Sequence, residues 1–430
     1  MLAVLDQSDG ARGIATLIIT AAYCIFASME KLFKWWTSTS LVLRILGGVI
    51  IGAALGLLIP GVSAIGILGT VFVSALKALA PVLVALLVMS SIAKAGKGLG
   101  PRFRTVILLY IGATFSAALV AVSASYLFPV PMELKDMPES AAAPGTLADV
   151  FGTLLSNMVF NPLMAVSTAN YIGILFWSII IGLALKVKAG ETTIKVISDF
   201  ADVLSLTVTW VIQFAPFGIL GLVFSSVSEA GLEIFTTYGK LLLVLVGSML
   251  FTWAVVNPLI HFLLLRRNPY PLLWQCLKES GINAFFTRSS AANIPVNMAL
   301  CKKLGLDKEF YSVSIPLGAT INMSGAAVTI TVLSLSVAHT LGIEVSFGAA
   351  LLLSLVATLG ACGASGVAGG SLLLVPMACS FFGISADIAM QAVAVGFIIG
   401  VVQDSVETAL NSSSDVFFTA TAEMKNTLDT

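Results

Sequence analysis

Apolar residues run through this chain in blocks of about 20, separated by short polar connections. A helix needs about 20 mostly apolar residues to cross a bilayer. The blocks predict spans at roughly 39–60, 64–93, 104–129, 167–187, 199–228, 238–265, 309–341 and 385–421. Two further segments fit poorly as single spans. Residues 271–305 contain FFTRSSAANIPVNM, with Arg288 and Pro295 in its middle. Residues 348–382 contain TLGACGASGVAGGS, a glycine-rich break between GAALLLSLVA and LLLVPMACSFF. Each predicts two short helices joined by an irregular tip. Backbone of that kind is tolerated at membrane depth only where protein or a water-filled cavity satisfies it. Each broken segment precedes one long span. The order broken, whole, broken, whole is that of two corresponding halves, and it points to a transporter site.

Composition strengthens the membrane reading. The chain is 58% hydrophobic and only 10% charged, against roughly 25% charged residues in soluble domains. It reads as an all-α integral membrane protein. The net charge of zero gives no sign of a nucleic-acid partner. The five cysteines (Cys24, Cys276, Cys301, Cys362, Cys379) show no metal spacing and no paired framework, and read as small apolar fillers. Only two histidines occur, His261 and His339, which argues against most metal sites and against histidine-based catalysis. No enzyme activity and no bound cofactor are expected.

Charge sets the orientation. Lys94, Lys97, Arg102 and Arg104 lie between the second and third spans, Lys186, Lys188 and Lys195 between the fourth and fifth, and Arg266 and Arg267 after the sixth. The alternate connections PMELKDMPES (131–140) and SSVSEAGLE (225–233) are net acidic. Basic loops sit on the cytoplasmic side, so the basic set faces inward, and the short polar tail 422–430 with it. Residues 1–38 form an N-terminal extension. Its apolar stretch 14–29 is short for a span and is followed by EKLFKWW, so it reads as an extra helix or an interfacial anchor.

The most unusual feature is QDSVETALNSSSD (403–415), set between AVAVGFIIGVV and VFFTATA. On a helix, Asp404, Glu407, Thr408, Asn411 and Asp415 fall within an arc of about 100°, and Ser413 points to the opposite side. Three ionised carboxylates at mid-depth would cost on the order of 8–10 kcal/mol on an insertion scale. Either the helix frays into water here, or the stripe faces a cavity that holds cations, a charged substrate, or both. The resumed apolar pattern of VFFTATA favours the cavity.

Other polar positions admit two readings each. INMSGAA (321–327) interrupts the preceding span. It either frees carbonyls for a hard cation or marks a close helix contact. RSSAANIP (288–295) offers hydroxyls and backbone N–H groups at a half-helix N-terminus. These suit a substrate carboxylate, or cap the break itself. Arg288 either snorkels or pairs with an acid of the last span. Lys77 reads as a snorkelling residue. Ser365, in GASG, has both histidines before it in the chain and none after, which speaks against a serine-protease pair. It reads as part of a flexible gate.

Taken together, TRSSAANIPVNM, PLGATINMSGAA, GACGASGVAGG and QDSVETALNSSSD resemble the dicarboxylate/amino acid:cation symporter family from about residue 40 to 420. The wording is closest to its branch of bacterial sodium:serine/threonine symporters. The resemblance implies eight transmembrane helices plus two re-entrant hairpins, arranged as inverted repeats in an elevator-type transporter. It implies a single transporter domain over 39–421. The scaffold would come mainly from spans 1, 2, 4 and 5. The transport part would come from spans 3 and 6, both hairpins and the spans 309–341 and 385–421. It also implies a homotrimer surrounded by lipid in the bacterial plasma (inner) membrane.

Site residues follow by position from the same resemblance. Asp404 matches the acid that takes the substrate ammonium, Thr408 and Asn411 match substrate contacts, and Ser290 and Ala364 match contacts in the two hairpins. Asp415 with the carbonyls of Gly318, Asn322 and Asn411 resembles one sodium site. The carbonyls of Thr320, Thr358 and Ala361 with the sulfur of Met323 resemble a second. Glu407 departs from the acidic-substrate members, which carry arginine there. A glutamate repels an acidic side chain and accepts a hydrogen bond from a hydroxyl. Ser324 and Ala326 replace an acid and a threonine, so the match to a third sodium site is incomplete. The expected function is import of L-serine and L-threonine with Na+ as coupling ion. The alternatives are a symporter for another small neutral amino acid, or a polar-lined channel.

Overall fold

The structure, a computed structural model, describes residues 39–94, 101–134, 155–362, 364 and 369–429. The apolar stretch 14–29, Cys24 and Ser365 lie outside the described residues. The described chain is helical throughout. Its helices are α1 Leu41–Leu58, α2 Gly66–Lys94, α3 Pro101–Leu127, α4 Pro162–Ser167, α5 Tyr171–Lys188, α6 Glu191–Gln213, α7 Ala215–Ala230, α8 Ile234–Phe251 and α9 Asn257–Leu265. They continue as α10 Tyr270–Cys276, α11 Ile282–Thr287, α12 Ser290–Lys303, α13 Lys308–Ile321, α14 Ser324–Thr340, α15 Phe347–Ala361, α16 Val375–Ser380 and α17 Ala386–Asp429.

Among the described residues, seven helical segments are long and apolar enough to cross a membrane. The block predicted as one span at 199–228 is two helices. They meet at Phe214, and Pro216 stands in the first turn of α7. Proline lacks the N–H that an interior turn would need, but that group is unused in a first turn. The last helix also runs past the predicted 421 to Asp429. At 44 residues it is about 66 Å long.

Glycines explain how one group of helices packs. Gly48, Gly52 and Gly56 form a stripe along α1. A Cβ on them would sit 2.3, 2.5 and 2.9 Å from the carbonyl oxygens of Pro216, Leu220 and Phe224 on α7. Only a bare backbone allows that approach, the small-residue packing used between membrane helices. On α2, Gly69 meets the backbone of Leu222 in the same way. The α1, α2, α5, α6 and α7 helices therefore pack chiefly on one another.

The second group surrounds α14. Every residue from Ser324 to Ala338 is buried, so this helix has no lipid-facing side. It packs against α3, α8, α15, α16 and α17. Near the end of α17 the chain is held by a polar clasp. Asp307 caps α13 by accepting from Glu309 N–H at 3.0 Å and pairs with Arg102 at 2.7 Å. Its own N–H donates to Glu423 at 2.9 Å. The Arg102 guanidinium holds the Asp307 carboxyl below the usual carboxylate range. Lys77, expected to snorkel, instead pairs with Asp387 at the start of α17.

Both broken segments are pairs of helical limbs, and the described residues include the turn of the first. The first runs α10, a π turn at Leu277–Gly281, α11, then a reversal at Arg288 (φ +52°) into α12. The second runs α15, the turn region, a 3-10 turn Gly370–Leu374 and α16. The INMSGAA break is also present. Asn322 and Met323 leave helical geometry between α13 and α14.

Candidate functional site

The polar stripe of α17 does not fray into water. Asp404, Glu407, Thr408, Asn411 and Asp415 are all buried. Each meets a different partner, which is how one helix carries three acids through an apolar interior.

Asp404 faces the first helical pair. Nε of Arg288 lies 3.1 Å from its Oδ2, and Gly369 N–H donates to its Oδ1 at 3.2 Å. Of the two readings of Arg288, pairing with a last-span acid is the one realised. The left-handed backbone at Arg288 turns the chain between α11 and α12, which brings this side chain to the stripe. A cleft beside the pair is lined by Ile45, Ile212, Phe397 and Val401 and has about 10 Å3 of free volume, room for about one water. A separate apolar groove of about 980 Å3 lies between α3 and α8, with Lys240 among its lining residues.

One turn on, Glu407 meets hydroxyls and an amide. Its Oε2 accepts from Thr329 on α14 at 2.7 Å, from Ser371 at 2.9 Å and from Gln403 at 2.5 Å. Thr408 turns its hydroxyl back to the Asp404 carbonyl at 2.7 Å. Asn411 accepts from Gly325 N–H at 2.7 Å, and its Nδ2 lies 3.4 Å from the Met323 sulfur. Its amide therefore reaches the α13–α14 break, with one N–H left over.

Asp415 completes the stripe beside that break. Asn322 Nδ2 donates to Asp415 Oδ1 at 2.9 Å, to Ser414 Oγ at 2.8 Å and to the Asn411 carbonyl at 3.2 Å. Among the described residues, Oδ2 of Asp415 and Oδ1 of Asn322 are buried with no hydrogen-bond partner. Gly318 lies directly against the carboxylate, since a Cβ there would be 2.7 Å from Asp415 Oδ1. Buried orphan oxygens of this kind cost free energy unless a cation or donor reaches them. Gly318, Asn322, Asn411 and Asp415 thus converge, and the two unpartnered atoms among them are oxygens, which suit a hard cation.

The second predicted set lies on two facing chain ends. Met323 is buried beside Asn411, Thr358 and Ala361 are buried at the end of α15, and Thr320 is exposed. Cys362 Sγ, next in the chain, lies 3.5 Å from the Ile321 carbonyl, which brings the end of α15 against the break. Ser290 is the buried first residue of α12, while Ser289 does the capping, accepting from Ala292 N–H at 3.2 Å. Ala364 is buried and its N–H donates to the Ala361 carbonyl at 2.9 Å.

Several residues in the site escaped the sequence reading. Asn293 and Asn297, one turn apart on α12, donate to Ser412 Oγ at 2.7 and 3.1 Å, and Ser280 donates to Asn297 at 2.5 Å. They pin both limbs of the first pair to α17. The i, i+4 repeat of asparagine in an apolar helix was the available signal. Gln403, Thr329 and Ser371 around Glu407 carried no such pattern.

Residues 41–424 match the sodium:dicarboxylate symporter family. Among curated proteins, the serine/threonine transporter SstT of Bifidobacterium adolescentis is 59% identical over 388 residues, covering 90% of each chain. The serine/threonine transporter SstT of Streptococcus agalactiae is 57% identical over 396 residues, covering 92% of this chain and 98% of the relative. That of Streptococcus thermophilus is 56% identical over the same length and coverage. With a family match over nearly the whole described chain and relatives this similar, the chain belongs to the sodium:dicarboxylate symporter family.

Proposed function

We propose that this protein is a secondary active symporter that imports serine and threonine together with sodium. The observation that carries the reading is the buried stripe of α17. Along it stand an acid for an ammonium group, an acid among hydroxyls and an acid beside unpartnered oxygens. Asp404 takes the substrate ammonium. Glu407 accepts a hydrogen bond from the side-chain hydroxyl and repels acidic side chains. Thr408, Asn411, Ser290 and the backbone at Ala364 hold the rest of the amino acid, with N–H groups at the start of α12 facing its carboxylate. Asp415 with Gly318, Asn322 and Asn411 holds one sodium ion. Thr320, Met323, Thr358 and Ala361 offer a second site.

The helical pairs α10–α12 and α15–α16 act as two re-entrant hairpins in addition to eight transmembrane spans. The glycine-packed group of α1, α2, α5, α6 and α7 serves as the scaffold. The group around α14 carries the ligands and moves as an elevator, in a homotrimer within the bacterial inner membrane, with the C-terminus cytoplasmic. A zwitterion moving with one sodium carries net positive charge, so the membrane potential contributes ~2.3 kcal/mol per charge per 100 mV. The test is uptake of labelled serine into liposomes with and without an imposed sodium gradient, competed by threonine, alanine and aspartate. Gradient-dependent accumulation blocked by threonine and not by aspartate is expected. Equilibration that ignores the gradient would overturn the proposal.

A further inference from the structure

Three donors from three parts of the fold converge on one oxygen of Glu407. Thr329 Oγ1 reaches Oε2 from α14 at 2.7 Å, Ser371 Oγ from the 3-10 turn Gly370–Leu374 at 2.9 Å, and Gln403 Nε2 from α17 itself at 2.5 Å. Thr329, Ser371 and Gln403 are all buried. The directions of these bonds are fixed by chemistry. Gln403 Nε2 also donates to Thr329 Oγ1 at 2.7 Å. The hydroxyl therefore accepts from Gln403 and spends its one proton on the carboxylate, which is nearer than the Gly325 carbonyl at 3.1 Å. Among the described residues, Oε1 of Glu407 accepts no hydrogen bond. The side chain has little freedom to exchange the two oxygens. A Cβ on Gly325 would lie 2.9 Å from Glu407 Cγ, so α14 presses directly on its stem.

We propose that Thr329, Ser371 and Gln403 are specificity-determining positioning residues, which tie down Oε2 of Glu407 and so present Oε1 as the single acceptor for the substrate's side-chain hydroxyl. This rests on the reading of the protein as a carrier of hydroxyl amino acids. Among the described residues no cation pairs with Glu407, and all three donors are spent on Oε2, which leaves Oε1 as the free acceptor. A substrate without a hydroxyl leaves that acceptor unpaired in a buried site, and discrimination of this kind is strong. Ser371 belongs to the 3-10 turn Gly370–Leu374, which packs against α14 and α17, so the cage is built from all three elements.

The experiment uses the full-length protein in liposomes under a fixed sodium gradient. Serine half-saturation is measured for the unmodified protein, Thr329→Val, Thr329→Ser and Ser371→Ala, with alanine as competitor. Thr329→Val and Ser371→Ala should each raise serine half-saturation roughly 10-fold, the loss of about one hydrogen bond's orientation. Thr329→Ser, which keeps the hydroxyl, should restore the value lost in Thr329→Val. Alanine inhibition should not weaken, and sodium half-saturation should not move. Should Thr329→Val not accumulate as folded protein, Ser371→Ala carries the same test. The inference is overturned if serine half-saturation is unchanged in Ser371→Ala, or if serine, alanine and sodium constants all rise by one factor. If the unmodified protein takes up no serine under the gradient, the transport reading itself fails, which is a different result.

Discussion

Nε of Arg288 lies 3.1 Å from Oδ2 of Asp404, and both side chains are buried. The guanidinium thus holds the same carboxylate that a substrate ammonium would need. Removing one member of a buried ion pair typically costs about 3–5 kcal/mol, because the other is left uncompensated. In Arg288→Gln the substrate-free protein should therefore melt at a lower temperature. Serine should then raise the melting temperature by more than in the unmodified protein, since its ammonium restores the missing charge. Equal serine-induced shifts in the two proteins would mean that Arg288 and substrate do not share Asp404.

The complementary change is Asp404→Asn. An amide cannot offset an ammonium, and it leaves the buried Arg288 facing that group. Losing a buried charged partner costs 2 kcal/mol or more, so serine uptake efficiency should fall at least about 30-fold while membrane insertion is kept. Normal uptake by inserted protein would remove Asp404 from the binding role.

Glu407 sits among donors, and that decides what an arginine would do there. In Glu407→Arg, the Gln403 amide and the Thr329 and Ser371 hydroxyls lose their shared acceptor. A cation also now faces the side-chain end of the substrate. Serine uptake should drop about 10-fold or more. Aspartate, which is not expected to compete in the unmodified protein, should begin to compete. Serine preference that survives the charge reversal would show that side-chain selection lies elsewhere.

Much of this site was legible because period and cost act together. A 3.6-residue period put five polar side chains on one arc, and the expense of buried carboxylates required partners for them. The structure supplies those partners at Arg288, Thr329 and Asn322. Glycine and serine at INMSGAA marked the break at Asn322–Met323 for the same reason, since backbone leaves a helix where its side chains permit it. What could not be read was the pairing across the fold. Thr329 is one more hydroxyl in a helix rich in them, and only the approach of α17 to α14 singles it out. Lys77 looked like a snorkelling side chain because its partner, Asp387, is 310 residues away. The block at 199–228 read as one span because hydropathy does not register the missing N–H of Pro216.

The glycine stripe of α1 can be tested against a glycine on the same helix. A Cβ at Gly52 would lie 2.5 Å from the Leu220 carbonyl, whereas one at Gly47 meets nothing within 4 Å. Gly52→Ala should force α1 and α7 apart and destabilise by about 1–3 kcal/mol. Gly47→Ala should be neutral or stabilising by up to about 1 kcal/mol, because alanine is the better helix former. Thermal unfolding in detergent measures both. Equal behaviour of the two variants would remove the close approach of α1 to α7.

Asp415 carries the last prediction. Its Oδ1 accepts from Asn322, and its Oδ2 is buried without a partner, as is Oδ1 of Asn322. The two orphan oxygens leave the site electron-rich, while Gly318 packs against Oδ1, the oxygen that already accepts from Asn322. A sodium ion there would satisfy both oxygens and neutralise the only carboxylate in the set. Asp415→Asn preserves the shape but removes the charge: its amide oxygen can still accept from Asn322 Nδ2, and its NH2 replaces the orphan Oδ2 that a cation would meet. At saturating serine, the sodium concentration for half-maximal uptake should rise about 10-fold or more. Serine half-saturation measured at very high sodium should approach that of the unmodified protein, because the substrate contacts proposed at Asp404 and Glu407 are untouched. A sodium dependence that does not change would place the coupling ion away from Asp415.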